Sequence, residues 1–178
     1  MFPEDDQLGI DLVIPDFDYV KKNKDKIKGI VLTHGHLDHI GALPFLLKEI
    51  NVPIYGTKLT LGLLEGNLKE HNLMKRSRLK VVNAGSTIQV GQFKVDYIKV
   101  NHSLTDTCAL AIHTPLGPIV YASDFKFDQT PVDGEVADFH KLAELGHSEP
   151  GVLALFSDST NVEREGFTLS EKVVGKTI

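Results

Sequence analysis

The spacing of apolar residues divides the chain into two parts of different rhythm. Gly29-Ile30-Val31-Leu32-Thr33 is a β-branched run without polar alternation, the pattern of a short strand buried on both faces. Gly41–Ile50 then sets Leu43, Leu46 and Leu47 on one helical face, with Pro44 tolerated only in the first turn. Val52–Tyr55 predicts another strand, and Thr57–His71 another helix, with Leu59, Leu63 and Leu64 at helical spacing. This strand–helix–strand–helix alternation predicts a layered sheet covered by helices. Ahead of it, Met1–Asp18 mixes acids with Leu12-Val13-Ile14 and predicts loop or sheet edge. Tyr19–Lys28, with Lys21, Lys22, Lys24, Lys26 and Lys28, predicts a short solvated helix.

After Leu73 the rhythm changes. Leu79–Val82, Thr87–Val90, Phe93–Val100, Cys108–Thr114 and Pro118–Ala122 all have strand character. They are separated by turn signals at Ala84-Gly85-Ser86, Val90-Gly91-Gln92 and Pro115-Leu116-Gly117. The latter half is therefore expected to be mainly antiparallel and built of hairpins. Asp138–Leu145 predicts a short helix, and Gly151–Phe156 a buried strand. Together these elements predict an α+β sandwich with helices outside.

Composition narrows the setting. The 178 residues, 42% of them apolar, suffice for one compact domain and not for two of ordinary size. A net charge of −5 excludes nucleic-acid binding by bulk positive charge but leaves room for a local basic patch. The lone cysteine, Cys108, cannot form an internal disulfide, and its mid-strand position predicts inert core. The apolar runs are too short to cross a bilayer, and the acidic N-terminus lacks a signal-peptide layout, so a reducing, cytoplasmic setting without membrane contact is expected.

The chemistry is concentrated in Thr33-His34-Gly35-His36-Leu37-Asp38-His39, at the end of a predicted strand. In an extended segment, side chains two apart point the same way, so His34 and His36 can reach one ion together. Beyond them the chain turns, which lets Asp38 and His39 face a second point. Imidazole with carboxylate suits zinc first, then manganese or iron. The string would arise by chance in roughly one such chain in a thousand. The competing explanation, a buried polar network of three histidines and an aspartate, would require many hydrogen-bonding partners. Two later strand ends supply complements: His102, as a third nitrogen for the ion held by His34 and His36, and Asp124, as a carboxylate able to bridge two ions.

The ordered series His34-x-His36-x-Asp38-His39, His102 and Asp124 resembles the motifs of the metallo-β-lactamase superfamily. Its surroundings resemble the bacterial ribonuclease J branch: Phe2-Pro3-Glu4-Asp5-Asp6, Leu8–Asp16, His39–Pro44, Asn101-His102-Ser103, His113–Gly117, Asp124–Asp128 and Ser157–Asn161. That resemblance implies a metallo-β-lactamase-type αββα sandwich, with residues 1–178 forming a partial domain of that kind. It implies two divalent metal ions, zinc before manganese, the first on His34, His36 and His102 and the second on Asp38, His39 and Asp124. A water or hydroxide between them would be the nucleophile, and Asp38 could accept its proton. The implied activity is 5′-to-3′ exonuclease and endonuclease cleavage of RNA, leaving a 5′-phosphate and a 3′-hydroxyl.

Departures from the family pattern shape further expectations. The family has an N-terminal hairpin, bearing a supporting aspartate, before Phe-Pro-Glu-Asp, and continues after Ser157–Asn161 into a β-CASP domain. The resemblance therefore implies a fragment or truncated relative, with an open sheet edge beside Met1–Ile14 that favours a homodimer or higher homo-oligomer. Where the family has Thr-Gly before the bridging aspartate, this chain has Ala122-Ser123, and serine lacks glycine's backbone freedom. Lys69, His71, Lys75, Arg76, Arg78 and Lys80 form a basic cluster, either an RNA phosphate contact centred on Lys75, Arg76 and Arg78 or a solvated helix end. His71, His113, His140 and His147 are expected to be structural or surface residues, and Asp158 and Thr160 either to support the metal site from behind its ligands or, the reading favoured, to form a strand-end cap. Two alternatives stay open: another hydrolase on this scaffold, such as a thioesterase or lactamase, and an inactive metal-binding remnant.

Overall fold

A computed structural model describes residues 8–174, so the Phe2–Asp6 motif lies outside the described residues. The chain divides into two compact units between Val81 and Val82, and each carries its own sheet.

In the first unit, residues 11–17 run as loop into helix α1 (Asp18–Lys22). The expected Tyr19–Lys28 helix breaks after one turn because Asn23 closes it: its backbone N–H and its side-chain amide both donate to the Tyr19 carbonyl, and a 3-10 turn follows. Strand β1 (Ile30–Val31) is half-buried and only two residues long, shorter than the expected Gly29–Thr33. The Leu32 N–H still donates to the Tyr55 carbonyl at 2.9 Å before the chain turns into α2 (Leu37–Ile40). Helix α3 (Leu43–Glu49) carries Pro44 in its first turn, as predicted, and buries Leu43, Pro44 and Leu47.

Strand β2 (Pro53–Gly56) precedes helix α4 (Lys58–Glu70), and β3 (Arg78–Val81) follows. The sheet order is β1-β2-β3 and every pairing is parallel. This corrects the assignment of Leu79–Val82 to the antiparallel half: α4 is a crossover, and it returns the chain in the same direction as β2. The buried face of α4 also differs from expectation. Thr60, Leu61, Leu64 and Leu68 point inward at helical spacing, while Leu59 and Leu63 are about 40% exposed. Leu64 and Leu68 join Leu32, Ile40, Leu43, Leu47, Ile54, Leu61 and Leu73 in one apolar core. Burying each leucine contributes about 1.5–3 kcal/mol.

The second unit opens with β4 (Thr87–Val90), β5 (Phe93–Lys99), β6 (Cys108–Thr114) and β7 (Gly117–Ser123), an antiparallel meander close to the predicted bounds. Gly117, at the β6–β7 turn, has φ +126°, and a Cβ there would lie 2.4 Å from the Gly151 carbonyl oxygen, so only glycine fits. Helix α5 (Phe139–Gly146) starts where Asp138 accepts a hydrogen bond from the Lys141 N–H at 2.9 Å. It leads to β8 (Ala154–Ser157), which lies parallel to β7 at the sheet edge. The Gly151–Phe156 run is therefore not the expected buried strand. It borders the sheet on one side only, and Leu155 and Phe156 are exposed. The core comprises Ile98, Val100, Ala109, Ala111, Val120 and Leu145. A terminal turn, α6 (Glu171–Val174), completes the described chain. Among the described residues, no helix is long and apolar enough to cross a membrane.

Candidate metal centre

The first unit places its four candidate donors where the parallel β1 ends. His36 is extended (φ −69°, ψ 149°), so His34 and His36 lie on the same side of the chain, as strand periodicity predicts. His34 Nε2 and His36 Nδ1 approach to 3.0 Å, and their rings meet edge-on. His34 is fully buried, and its Nδ1 lies 3.1 Å from the Thr33 hydroxyl. An Nδ1–H donated to that hydroxyl leaves the Nε2 lone pair facing His36, the tautomer a ligand requires. The single turn α2 then brings up Asp38 and His39, since the His39 and Ile40 N–H groups both donate to the His36 carbonyl. His39 packs on His34 with ring centroids 4.1 Å apart, and its Nε2 lies 3.5 Å from the Asp38 carboxylate.

Gly35 makes this loop possible. A Cβ at that position would stand 2.6 Å from Leu63 Cδ1 and 3.4 Å from Thr60 Cα, so the loop lies directly on α4. The Leu63 side chain, although about 40% exposed, thus lies against Gly35. An open groove of about 500 Å³ beside Asp38 is lined by Leu12, Ile14, Leu37 and Phe45 among others.

In the second unit, β5 and β7 run the same way with β6 between them, so both reach one rim of the sheet. His102 follows β5, Asp124 follows β7, and His102 Nε2 comes within 3.7 Å of the Asp124 carboxylate. The register of β7 against β8 shifts between Tyr121 and Ser123, and Ser123 has φ +57°. The serine thus takes the left-handed backbone a glycine would occupy freely, at a cost of about 1–2 kcal/mol. That bulge turns Asp124 out of the strand. A cavity of about 280 Å³ opens beside His102, with Lys99 and Lys126 in its wall paired to Asp133 and Glu171.

These donor pairs fit a small divalent cation. Ligands at 2.0–2.2 Å in tetrahedral array lie about 3.3 Å from each other. The three pairs, at 3.0, 3.5 and 3.7 Å, bracket that spacing. The donors are also of the type zinc takes, imidazole nitrogen and carboxylate oxygen.

Other residues fall into place by geometry. Lys75, Arg76 and Arg78 are exposed, and Arg78 donates to the Asn51 carbonyl at 2.8 Å. Burial pushes the Cys108 thiol up to about 12, consistent with inert core. Asp158 accepts from the Thr160 N–H at 2.7 Å and is held below the usual carboxylate range chiefly by that bond, the expected strand-end cap, with His102 contributing. His113 is structural, as expected, but its setting was not legible. It lies 2.8 Å from the buried Asp96, which also accepts from the Thr87 hydroxyl and pairs with Lys141. Asn101 enters the sequence reading only as part of the Asn101-His102-Ser103 motif; its buried amide makes two hydrogen bonds to main chain far along the sequence, which the sequence does not reveal.

Residues 5–159 match the model of the metallo-β-lactamase superfamily, and the chain belongs to that superfamily. Its two-sheet, mixed α+β architecture is the metallo-β-lactamase fold. Among relatives, it is 50% identical over 177 residues to ribonuclease J 1 of Streptococcus pyogenes serotype M3, covering 99% of this chain and 31% of that protein. Ribonuclease J of a Synechocystis species is 47% identical over 175 residues, covering 97% of this chain and 27% of the relative. The chain therefore spans less than a third of the length of these curated relatives. A crystal structure of a protein of unknown function from Enterococcus faecalis V583 shares the fold, with a TM-score of 0.58 at 19% identity, covering 94% of this chain and 40% of that one.

Proposed function

We propose that the two donor sets serve one dinuclear metal centre that hydrolyses RNA phosphodiesters, as part of an enzyme of the ribonuclease J kind. His34, His36 and His102 would hold one divalent ion, and Asp38, His39 and Asp124 the other, with Asp124 able to touch both. Zinc suits the nitrogen-rich set best, and manganese is the alternative occupant. The observation that carries this reading is the 3.0 Å approach of His34 Nε2 to His36 Nδ1. The similarity to ribonuclease J proteins supports RNA as the substrate class.

Ions bound there supply Lewis-acid polarisation of the scissile phosphate and lower the pKa of an adjacent water to about 7. The chain does the rest. Thr33 holds the His34 ring in its ligating orientation. Asp38 is mostly exposed, so one of its carboxylate oxygens is available to take the proton of the attacking water. In-line attack leaves a 5′-phosphate and a 3′-hydroxyl, and the same chemistry serves 5′-to-3′ exonuclease and endonuclease cleavage. Lys75, Arg76 and Arg78 contact RNA phosphates through the exposed basic edge of the first unit.

The test is cleavage of a 5′-phosphorylated RNA oligomer, beside thioester and β-lactam substrates, with added zinc or manganese and with chelator. Metal-dependent cleavage of the RNA alone is expected. Turnover of the thioester or lactam instead would assign the scaffold to a different hydrolase, and turnover of none would mark an inactive metal-binding chain.

A further inference from the structure

Because β6 separates β5 from β7, the ends of those two strands lie about 9.6 Å apart, two inter-strand spacings. No ladder hydrogen bond can bring His102 and Asp124 together across that gap. Asn101 spans it. The Asn101 carbonyl accepts from the Lys126 N–H at 2.8 Å, an isolated antiparallel bridge two residues beyond Asp124. Its side chain does the complementary work: Nδ2 donates to the Glu135 carbonyl at 2.8 Å, and Oδ1 accepts from the Ala137 N–H at 3.0 Å. The Asp138 N–H then donates to the Lys99 carbonyl at 3.0 Å. The segment from Asp124 to Asp138 is thus pinned at both ends to the residues that precede His102. Asn101 is only 5% exposed, so its own side-chain bonds are largely shielded from water.

We propose that Asn101 is the positioning residue of the centre: it presets His102 against Asp124 before any ion arrives. The inference rests on the metal-centre reading above. An amide is the side chain this role needs. One end must donate to a carbonyl while the other accepts from an N–H, and neither aspartate nor a hydroxyl satisfies both at that separation. A preset pair binds metal without first paying to order the loop, so loss of Asn101 is felt as loss of affinity.

The test compares zinc affinity, by chelator competition, in Asn101→Ala, Asn101→Asp and a control, Leu142→Ala. Leu142 packs against the second unit's core and is assigned no part in binding. Apo thermal unfolding is measured for each. Asn101→Ala is expected to weaken zinc binding about 10–100-fold, the usual effect of removing a partner that orients ligands. Leu142→Ala, even with an equal or larger drop in Tm, should leave affinity within about threefold of the unaltered chain. Asn101→Asp keeps shape and the acceptor but turns an oxygen toward the Glu135 carbonyl. It should also weaken binding, and it decides the matter if the alanine variant does not fold. Cobalt(II) in place of zinc gives a second readout, a changed visible spectrum in the Asn101 variants only. Wild-type affinity in both Asn101 variants, or losses that merely track Tm across all three, would overturn the inference. If the unaltered chain itself binds no zinc, the metal-centre reading fails and this inference with it.

Discussion

The two units place their candidate donors by opposite means. In the first, four donors come from six consecutive positions, His34 to His39, set by a strand end and one helical turn. In the second, His102 and Asp124 stand at the ends of non-adjacent strands and approach to 3.7 Å through loop hydrogen bonds. The first arrangement is local and survives as long as a short segment keeps its backbone. The second depends on the whole sheet being in register. Mutations near the first set should therefore act on metal directly, and mutations far from the second should reach it through structure.

The largest expected effect follows from breaking the local set. Removing an orienting partner costs up to about 100-fold in metal affinity, so removing a donor costs more. His36→Ala should weaken zinc binding by well over about 100-fold with little change in apo Tm, and chelator competition measures it. Retained affinity would show that the imidazoles do not share an ion.

Next come changes that separate packing from position in the first unit. Leu64→Ala empties a fully buried site and should cost about 2–5 kcal/mol in urea unfolding. Leu63→Ala, one residue earlier on the half-exposed face, should cost under about 1 kcal/mol. Equal costs would contradict the observed face of α4.

The second unit offers a polar counterpart. Burial pushes the Asp96 carboxyl up, but the Thr87 hydroxyl, His113 and Lys141 together outweigh it and hold the group below the usual range. A carboxyl whose folded pKa lies below its unfolded value of about 3.9 adds stability that is present above that pH. The contribution disappears as pH falls through the folded value. Asp96→Asn should destabilise by about 1–3 kcal/mol near neutrality. Its deficit relative to the unaltered chain should shrink below about pH 4, as urea unfolding across pH would record. A deficit independent of pH would mean that the charge plays no part.

The smallest effect is expected at Ser123. Glycine there removes the strain of φ +57° but adds freedom to the unfolded chain, so Ser123→Gly should gain at most about 1 kcal/mol. Ser123→Val, which resists that backbone, should lose stability in the same thermal scan.

The same contrast explains what could be read from sequence. The β4–β7 strands and α5 follow from alternation and turn residues, and the candidate donors from His34 to His39 from their spacing, because each pattern is local. The parallel pairing of β3 is not legible in its sequence because direction depends on the α4 crossover, which a strand's own residues do not encode. The buried face of α4 is not legible either, because leucines occur all around it, and only packing chooses Leu61, Leu64 and Leu68 over Leu59 and Leu63. Gly151–Phe156 looked buried because apolar content does not distinguish a sheet centre from its edge. The Asp96 cluster draws on β4, β5, β6 and α5 at once, and Asn101 acts through residues far along the chain. No short-range signal marks either.

The proposed centre requires ions held by these six side chains. Anomalous diffraction at the zinc and manganese edges, from crystals grown with each metal, tests this directly. The prediction is two peaks, one about 2.0–2.2 Å from the nitrogens of His34, His36 and His102, and one at similar distance from Asp38, His39 and Asp124. Peaks elsewhere on the chain, or none at either edge in metal-loaded crystals, would contradict it.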